Sequence, residues 1–309
     1  MANKTKILFL GSFSFAVPVL QKLVDMDSYE IVGVVTNPDK VAGRDRSVSI
    51  SPVKSLATTL GLNIIQPEKL RDNDEFISTI RALNPDIGIL VGYGKILPKE
   101  ILTIPKLGII NIHPSLLPKY RGPSPAQASL MNGDTVTGVS IMKVDEEMDH
   151  GPLLAQEELT IDIDDNYGSL YKKLFDLGLK LLIHVLPDYI NGKLTTKTQD
   201  ENLVTFSKMI KTEDAEISTK DSVEMAIRKI KAFNPEPGVF IKLPNQKRLK
   251  ILEAISSPTI LKNHDELISS INNKPVLILA DGGIELVKVQ VEGSKVMFGQ
   301  DWLRGYTRN

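Results

Sequence analysis

"GIINIHPSLLPKYRG", residues 108–122, joins an apolar run to a proline-rich loop. In a strand, residues two apart share a face, so Asn111 and His113 fall on one side while Ile110 and Ile112 point the other way. Pro114 disfavours helical backbone at His113, and the strand ends there. Upstream lie "KILFL" (6–10), "EIVGVVT" (30–36), "NII" (63–65) and "DIGILV" (86–91). Near-continuous hydrophobicity of this kind belongs to strands covered on both faces. Helical patterns at roughly 14–26, 52–60, 73–83 and 123–131 separate the runs. The alternation predicts an α/β fold built on a doubly wound, mostly parallel, Rossmann-like sheet.

Two further strands are expected at 136–144 and 153–161, then a long helix at 166–190 with Leu170, Leu174, Leu177, Leu181 and Val185 on its apolar face. His184, between Ile183 and Val185, reads as structural. "NGKLTTKTQDEN" (191–202) is polar and without periodicity, and reads as a linker. A helix at 219–233, the turn "NPEPG" and short β-like segments at 238–243, 248–255, 276–280, 284–291 and 295–298 suggest a small β-barrel carrying a helix. The expected division is a catalytic domain over 1–190, a linker over 191–207 and a β domain over 208–309.

The 309 residues contain no cysteine, which excludes disulfides, a thiolate nucleophile and a Cys-ligated zinc site. The apolar run Ile7–Leu10 is too short for a signal-peptide core, and no later run is long enough to span a membrane. A soluble, cytoplasmic protein is expected. Net charge is −1, but from Ser207 onward there are 16 Lys+Arg against 13 Asp+Glu. That excess is too weak on its own to call for a polyanion partner.

Ligands of doubly wound sheets bind beyond the carboxyl ends of the strands, which is where Asn111 and His113 fall. An amide NH2 can donate to an oxygen gaining negative charge in a tetrahedral intermediate. An imidazole can stabilise that oxygen or move protons. Asp149, in "VDEEMDHGPLL" (144–154), is the candidate third group. The spacing equally fits an Asn/His pair that is merely hydrogen-bonded at a strand end. Asp145, Glu146 and Glu147 equally fit a solvated acidic loop.

"NIHPSLLPKYRGPSP" resembles the signature of the 10-formyltetrahydrofolate-dependent formyltransferases. The resemblance implies a catalytic trio at Asn111, His113 and Asp149, with the first two stabilising an oxyanion and Asp149 holding His113 and helping to take the amine proton. It also implies a folate-contacting turn at Ser115, Leu116, Leu117 and Pro118. "VGYGKILP" (91–98) is similar to the segment lining the pterin pocket, giving Gly92, Tyr93, Gly94, Ile96 and Leu97. The loop over 142–148, with Val144, Asp145 and Glu147, is similar to the folate-binding loop. The implied cosubstrate is 10-formyltetrahydrofolate, whose formyl group is already activated, so no metal is expected.

"TNPDKVAGRDRSVSISPVKSLA" (36–57) makes a connection of about fifteen residues where two to six is usual. It resembles the tRNA-probing loop of the family members that act on initiator methionyl-tRNA. Arg44 matches that loop's key arginine, and Lys40, Arg46 and Lys54 are candidate phosphate contacts. The resemblance covers essentially the whole chain and implies an OB-like, tRNA-contacting C-terminal domain. Monomer is the expected state. This sequence departs from the pattern at Phe13 and Ser14, where Pro and Asp are typical, at Asp45, where glycine is common, and at His150, which reads as a bystander. The alternatives are an amino-sugar nucleotide formyltransferase and a non-catalytic RNA-binding or dinucleotide-binding module. "GSFSFA" after the first strand lacks the glycine pattern the dinucleotide reading needs.

Overall fold

The computed structural model describes residues 4–42, 47–257 and 267–306. Arg44, Asp45 and Arg46, named above, lie outside the described residues. In chain order the elements begin with β1 (Thr5–Gly11), α1 (Val17–Val24), β2 (Tyr29–Val35), β3 (Lys40–Ala42), β4 (Ser47–Ser49), α2 (Pro52–Thr59), β5 (Ile64–Ile65), α3 (Asp74–Leu83) and β6 (Ile87–Val91). They continue with α4 (Lys99–Leu102), β7 (Ile109–His113), α5 (Pro125–Asn132), β8 (Val136–Lys143), β9 (Leu153–Thr160) and α6 (Tyr167–Ile190). The chain ends with α7 (Val223–Phe233), β10 (Phe240–Lys242), β11 (Arg248–Ser257), β12 (Ile268–Ile271), β13 (Lys274–Leu279), β14 (Gly282–Val291), β15 (Met297–Phe298) and α8 (Gly299–Tyr306). Local chemistry sets several boundaries. Ser51 caps α2 by accepting from the Lys54 N–H, with Pro52 at the first helical position, and Asn73 caps α3 by accepting from the Phe76 N–H.

The contacts divide the chain into two compact units, 1–123 with 138–159 and 172–206, and 124–137 with 160–171 and 207–309. The first unit carries a seven-stranded sheet in the order β5-β2-β1-β6-β7-β8-β9. β1 pairs in parallel with β2 and β6, and β6 with β7, while β8 runs antiparallel to β7. This is the doubly wound, mostly parallel sheet expected. Ile7, Leu8, Phe9 and Leu10 of β1 are fully buried, each worth about 1.5–3 kcal/mol of transfer free energy. Strand order reverses between β1 and β6, so the ligand crevice of the sheet opens at Gly11, Val91 and the strand end beside them at Asn111.

The second unit holds an antiparallel sheet in the order β10-β11-β14-β13-β12, with β15 paired to β14. Within this unit α7 packs on α5 and β11, and α8 on β13 and β14. It is the β-rich, OB-like architecture expected at the C-terminal end. The helix α8 and the strand β12 were not foreseen. Neither were the short helix α4 and the hairpin of β3 with β4 inside the long connection. No helix among the described residues is long and apolar enough to cross a membrane.

Candidate active site

The site lies within the first unit. Asn111 and His113 sit near the carboxyl end of β7, where Asn111 pairs with Leu90 and His113 with Ser140. Both residues are buried, with 9% and 4% of their surface exposed. The His113 ring is fixed from one side, because its Nε2 lies 3.0 Å from the Tyr120 carbonyl oxygen. A carbonyl only accepts, so Nε2 carries the proton in that bond. Nδ1 is then the position where a proton can come and go. It faces Asp149, whose Oδ2 is 3.6 Å away, beyond direct hydrogen-bond reach but within strong Coulomb range. Asp149 Oδ2 is itself held by the Gly122 N–H at 2.8 Å. The three predicted catalytic residues are therefore two strand neighbours and an acid that faces the ring. By contrast, the Asn111 amide has no hydrogen-bond partner among the described residues.

The turn after His113 spends its polar groups internally. Ser140 Oγ accepts from the Leu117 N–H and from Gln156 Nε2 and donates to the Ser115 carbonyl, at 3.0, 2.8 and 2.6 Å. Ser115 Oγ donates to the Lys119 carbonyl. Ser115 and Leu117 are buried, while Leu116 and Pro118 are half-buried. The turn is thus rigid and offers the apolar surfaces of Leu116 and Pro118.

Gly92 and Gly94 both have positive φ, 55° and 74°. At Gly92 a Cβ would overlap the Phe15 ring as well, so this position requires glycine on two counts. The Phe15 ring in turn packs tilted against Phe175 at 4.0 Å and stacks on Phe13 at 5.5 Å, and Phe13 is half exposed. Tyr93 points into the core with its hydroxyl unpartnered, and burial pushes its pKa up. Its carbonyl accepts from Asn37 Nδ2. Ile96 is exposed and Leu97 buried, and both line a cavity of about 270 Å3 with Arg71, Lys99 and Glu146. Val144 continues from β8, its N–H donating to the Ile109 carbonyl at 2.7 Å. Asp145 accepts from the Glu147 N–H and lies 2.6 Å from His150 Nδ1. That bond, ahead of other causes, holds the His150 pKa above its ordinary value. The opposite ring nitrogen is 3.6 Å from Glu201. His150 therefore bridges two acidic loops.

Several residues at the site carried no signal in the sequence reading. Asp149 adopts a left-handed backbone, φ 52°, a conformation that costs a non-glycine residue about 1–3 kcal/mol unless its surroundings hold it. The holder is Gln199, from the stretch read as a linker. It is buried, and its Nε2 donates to the carbonyls of Asp149 and Gly151, each at 2.8 Å. Its Oε1 accepts from Arg121 Nε at 3.1 Å. The Arg121 guanidinium forks onto Glu201 at 2.6 and 3.3 Å, lowering that acid's pKa.

In the long connection, Lys40 is exposed at the start of β3. Lys54 is engaged with Asp39 at 2.5 Å and is 23% exposed. No cluster of acids and histidines able to hold a metal occurs among the described residues.

A formyl transferase family model matches residues 5–186, and its C-terminal domain model matches residues 209–307. The methionyl-tRNA formyltransferase of Chloroflexus aggregans is 42% identical, covering 97% of both chains. The chain belongs to the methionyl-tRNA formyltransferase family. The enzyme of that name from Caldicellulosiruptor saccharolyticus is 40% identical over 97% of this chain and 96% of its own. Among solved structures, HypX from Aquifex aeolicus in complex with tetrahydrofolic acid has the same fold over 99% of this chain and 48% of its own, with TM-score 0.65 and 17% identity. So does an N-formyltransferase from Helicobacter canadensis in complex with folinic acid and dTDP-3-aminofucose, over 91% and 98% of the two chains, with TM-score 0.66 and 18% identity. At such identities the likeness concerns fold.

Proposed function

We propose that this chain transfers the formyl group of 10-formyltetrahydrofolate to the α-amino group of methionine on initiator methionyl-tRNA, a cytoplasmic step preparing translation initiation. The observation that carries the reading is the near-full-length correspondence with methionyl-tRNA formyltransferases, spanning both domains. The site chemistry supports it. The amine nitrogen attacks the formyl carbon, and the carbonyl oxygen becomes an oxyanion. Asn111 donates its unpartnered amide N–H to that oxygen. With Nε2 tied to Tyr120, His113 works through Nδ1, as a donor beside the oxyanion when the ring is protonated and as an acceptor when it is neutral. Asp149 stabilises the charged ring across 3.6 Å. Between them His113 and Asp149 take the proton that the amine loses, and the folate N10 regains one as the carbon–nitrogen bond breaks. The sum is one proton moved from amine to leaving nitrogen, with no net charge produced.

In this reading Gly92, Tyr93, Gly94, Ile96 and Leu97 line the folate site together with the turn 115–118 and the loop through Val144, Asp145 and Glu147. The connection over 37–51 meets the tRNA, with Arg44 as its principal contact and Lys40, Arg46 and Lys54 in support. The working state is a monomer. A formylation assay with charged initiator tRNA, uncharged tRNA and amino-sugar nucleotides tests the proposal. Formyl transfer to the charged tRNA alone is expected. Transfer to an amino-sugar nucleotide in its place would overturn the substrate assignment.

A further inference from the structure

We infer that Gln199 is a positioning residue for the formyl transfer, setting the Asp149 carboxylate against His113. The inference rests on the catalytic reading of Asp149 given above. The residues from Lys197 to Thr205 are hydrogen-bonded to both loops that form the site. At one end Lys197 exchanges two backbone hydrogen bonds with Leu153, each 2.8 Å. At the other, Thr205 accepts from the Arg121 N–H at 2.9 Å and donates its own N–H to the Pro118 carbonyl. Its Oγ1 accepts from the Tyr120 N–H at 2.9 Å. Tyr120 is the residue whose carbonyl receives His113 Nε2. The strap therefore grips the backbone on both sides of the His113–Asp149 pair.

Gln199 is the buried centre of this strap. Both amide protons are used, one on the Asp149 carbonyl and one on that of Gly151, two residues on. These bonds fix a backbone that an aspartate does not favour, at φ 52°. Gly151, the second carbonyl's owner, sits where any Cβ would overlap the Lys143 carbonyl, so the backbone there packs too closely for any other residue. Arg121 orients the Gln199 amide from the opposite side, so the NH2 end has to face Asp149. The same loop supplies the Gly122 N–H that holds the Asp149 carboxylate. One side chain thereby ties the acid's backbone to the loop that holds the acid's oxygen.

The test is single-turnover formylation of initiator methionyl-tRNA by the full chain, with the Asp149→Asn change as a second background. Gln199→Ala is expected to lower the rate at saturating substrates by on the order of 10²-fold, the effect of roughly an ångström of misplacement. The KM for folate should stay within about twofold, since no folate contact is removed. Gln199→Glu keeps the volume and the Arg121 partner but faces two carbonyls without donors. It should fold and lose comparable rate, and it decides the matter if the alanine variant does not fold. In the Asp149→Asn background either change should cost less than about threefold, because a residue acting through Asp149 has nothing left to position. Equal fold losses in both backgrounds, or near wild-type turnover in both Gln199 variants, would overturn the inference. If Asp149→Asn alone leaves the rate intact, the catalytic reading itself is wrong and the inference falls with it.

Discussion

Asn111→Ala separates turnover from stability, and the structure fixes the expected size of each. The residue is 9% exposed, and its amide has no hydrogen-bond partner among the described residues yet is not sealed from solvent. Removing it therefore forfeits none of the ~0.5–1.5 kcal/mol that an intramolecular hydrogen bond contributes net. A few van der Waals contacts are lost. The change in folding free energy should stay below about 1 kcal/mol, or a Tm shift of no more than ~4 °C for a domain of this size. Turnover should respond very differently. Loss of one oxyanion donor typically costs about 2.7–4 kcal/mol of activation free energy, which is about 10²–10³ in kcat. Asn111→Asp should be worse than alanine, because an ionised carboxylate accepts only and puts negative charge beside the developing oxyanion. The assay is steady-state formylation of initiator methionyl-tRNA with both substrates saturating, alongside thermal unfolding by circular dichroism. Retention of more than about a tenth of wild-type kcat by the alanine variant would falsify the oxyanion assignment. A large Tm loss paralleling the activity loss would show that the amide is structural.

Ser140→Ala removes two buried hydrogen bonds and a partly buried one that hold the turn after His113. It should destabilise by about 1–3 kcal/mol and raise the folate KM more than it lowers kcat, as measured by denaturant unfolding and initial rates. His150 has its pKa raised in the folded chain, first by its bond to Asp145. A raised pKa gives stability that is fully present below the unfolded value near 6.5 and lost as pH rises through the folded value. The stability gap between wild type and His150→Gln should accordingly be wider near pH 5.5 than near pH 9, and a gap independent of pH would rule out the linkage. Arg44→Ala should raise the KM for the tRNA and leave the folate KM unchanged. Lys54 is already paired with Asp39, so Lys54→Ala should remove less than the roughly one unit of log–log salt slope that a full phosphate contact carries.

The sheet was legible in the sequence because its strands are continuous apolar runs, and runs such as Lys6–Leu10 admit few other readings. The elements that escaped detection lack such a pattern. β12, "ISSI", is four residues with two serines at its centre. α8, "GQDWLRGY", has glycine at two of its eight positions, which masks its one buried face of Trp302 and Leu303. β3 and β4 are three residues each and pair only with one another. Asn111 and His113 could be found because strand periodicity puts them together. Asp149 lies 36 residues further on, in an acidic loop that equally fitted a solvated surface, so the residues could only nominate it and the family resemblance had to single it out. Gln199 is a lone glutamine in a polar stretch. Its burial follows from a fold-back that brings Lys197 against Leu153, and no local pattern of the sequence encodes that approach.

Hydrogen bonding at the site separates groups that hold the structure from groups left for a substrate. Buried polar groups are almost always paired, and unpaired ones call for an explanation. Around β7 nearly every valence is committed. Ser115, Ser140 and Gln156 bond to one another and to the turn. Tyr120 occupies His113 Nε2, Gly122 occupies Asp149 Oδ2, and Gln199 uses both its protons and its oxygen. Besides the core-facing Tyr93 hydroxyl and Asn37 Oδ1, the groups left uncommitted include the Asn111 amide and His113 Nδ1 across from Asp149. The last two lie at the carboxyl end of the sheet, beside the reversal in strand order where ligands of such sheets bind. A donor for an oxygen and an exchangeable proton position next to an acid are what attack on a formyl carbon requires. Holding them ready costs no reorganisation in the transition state, because the surrounding bonds were fixed on folding. The same economy explains why the strap matters: loosening Gln199 would return the Asp149 carbonyl to seeking a partner, and the alignment that the fold maintains would then compete with solvent.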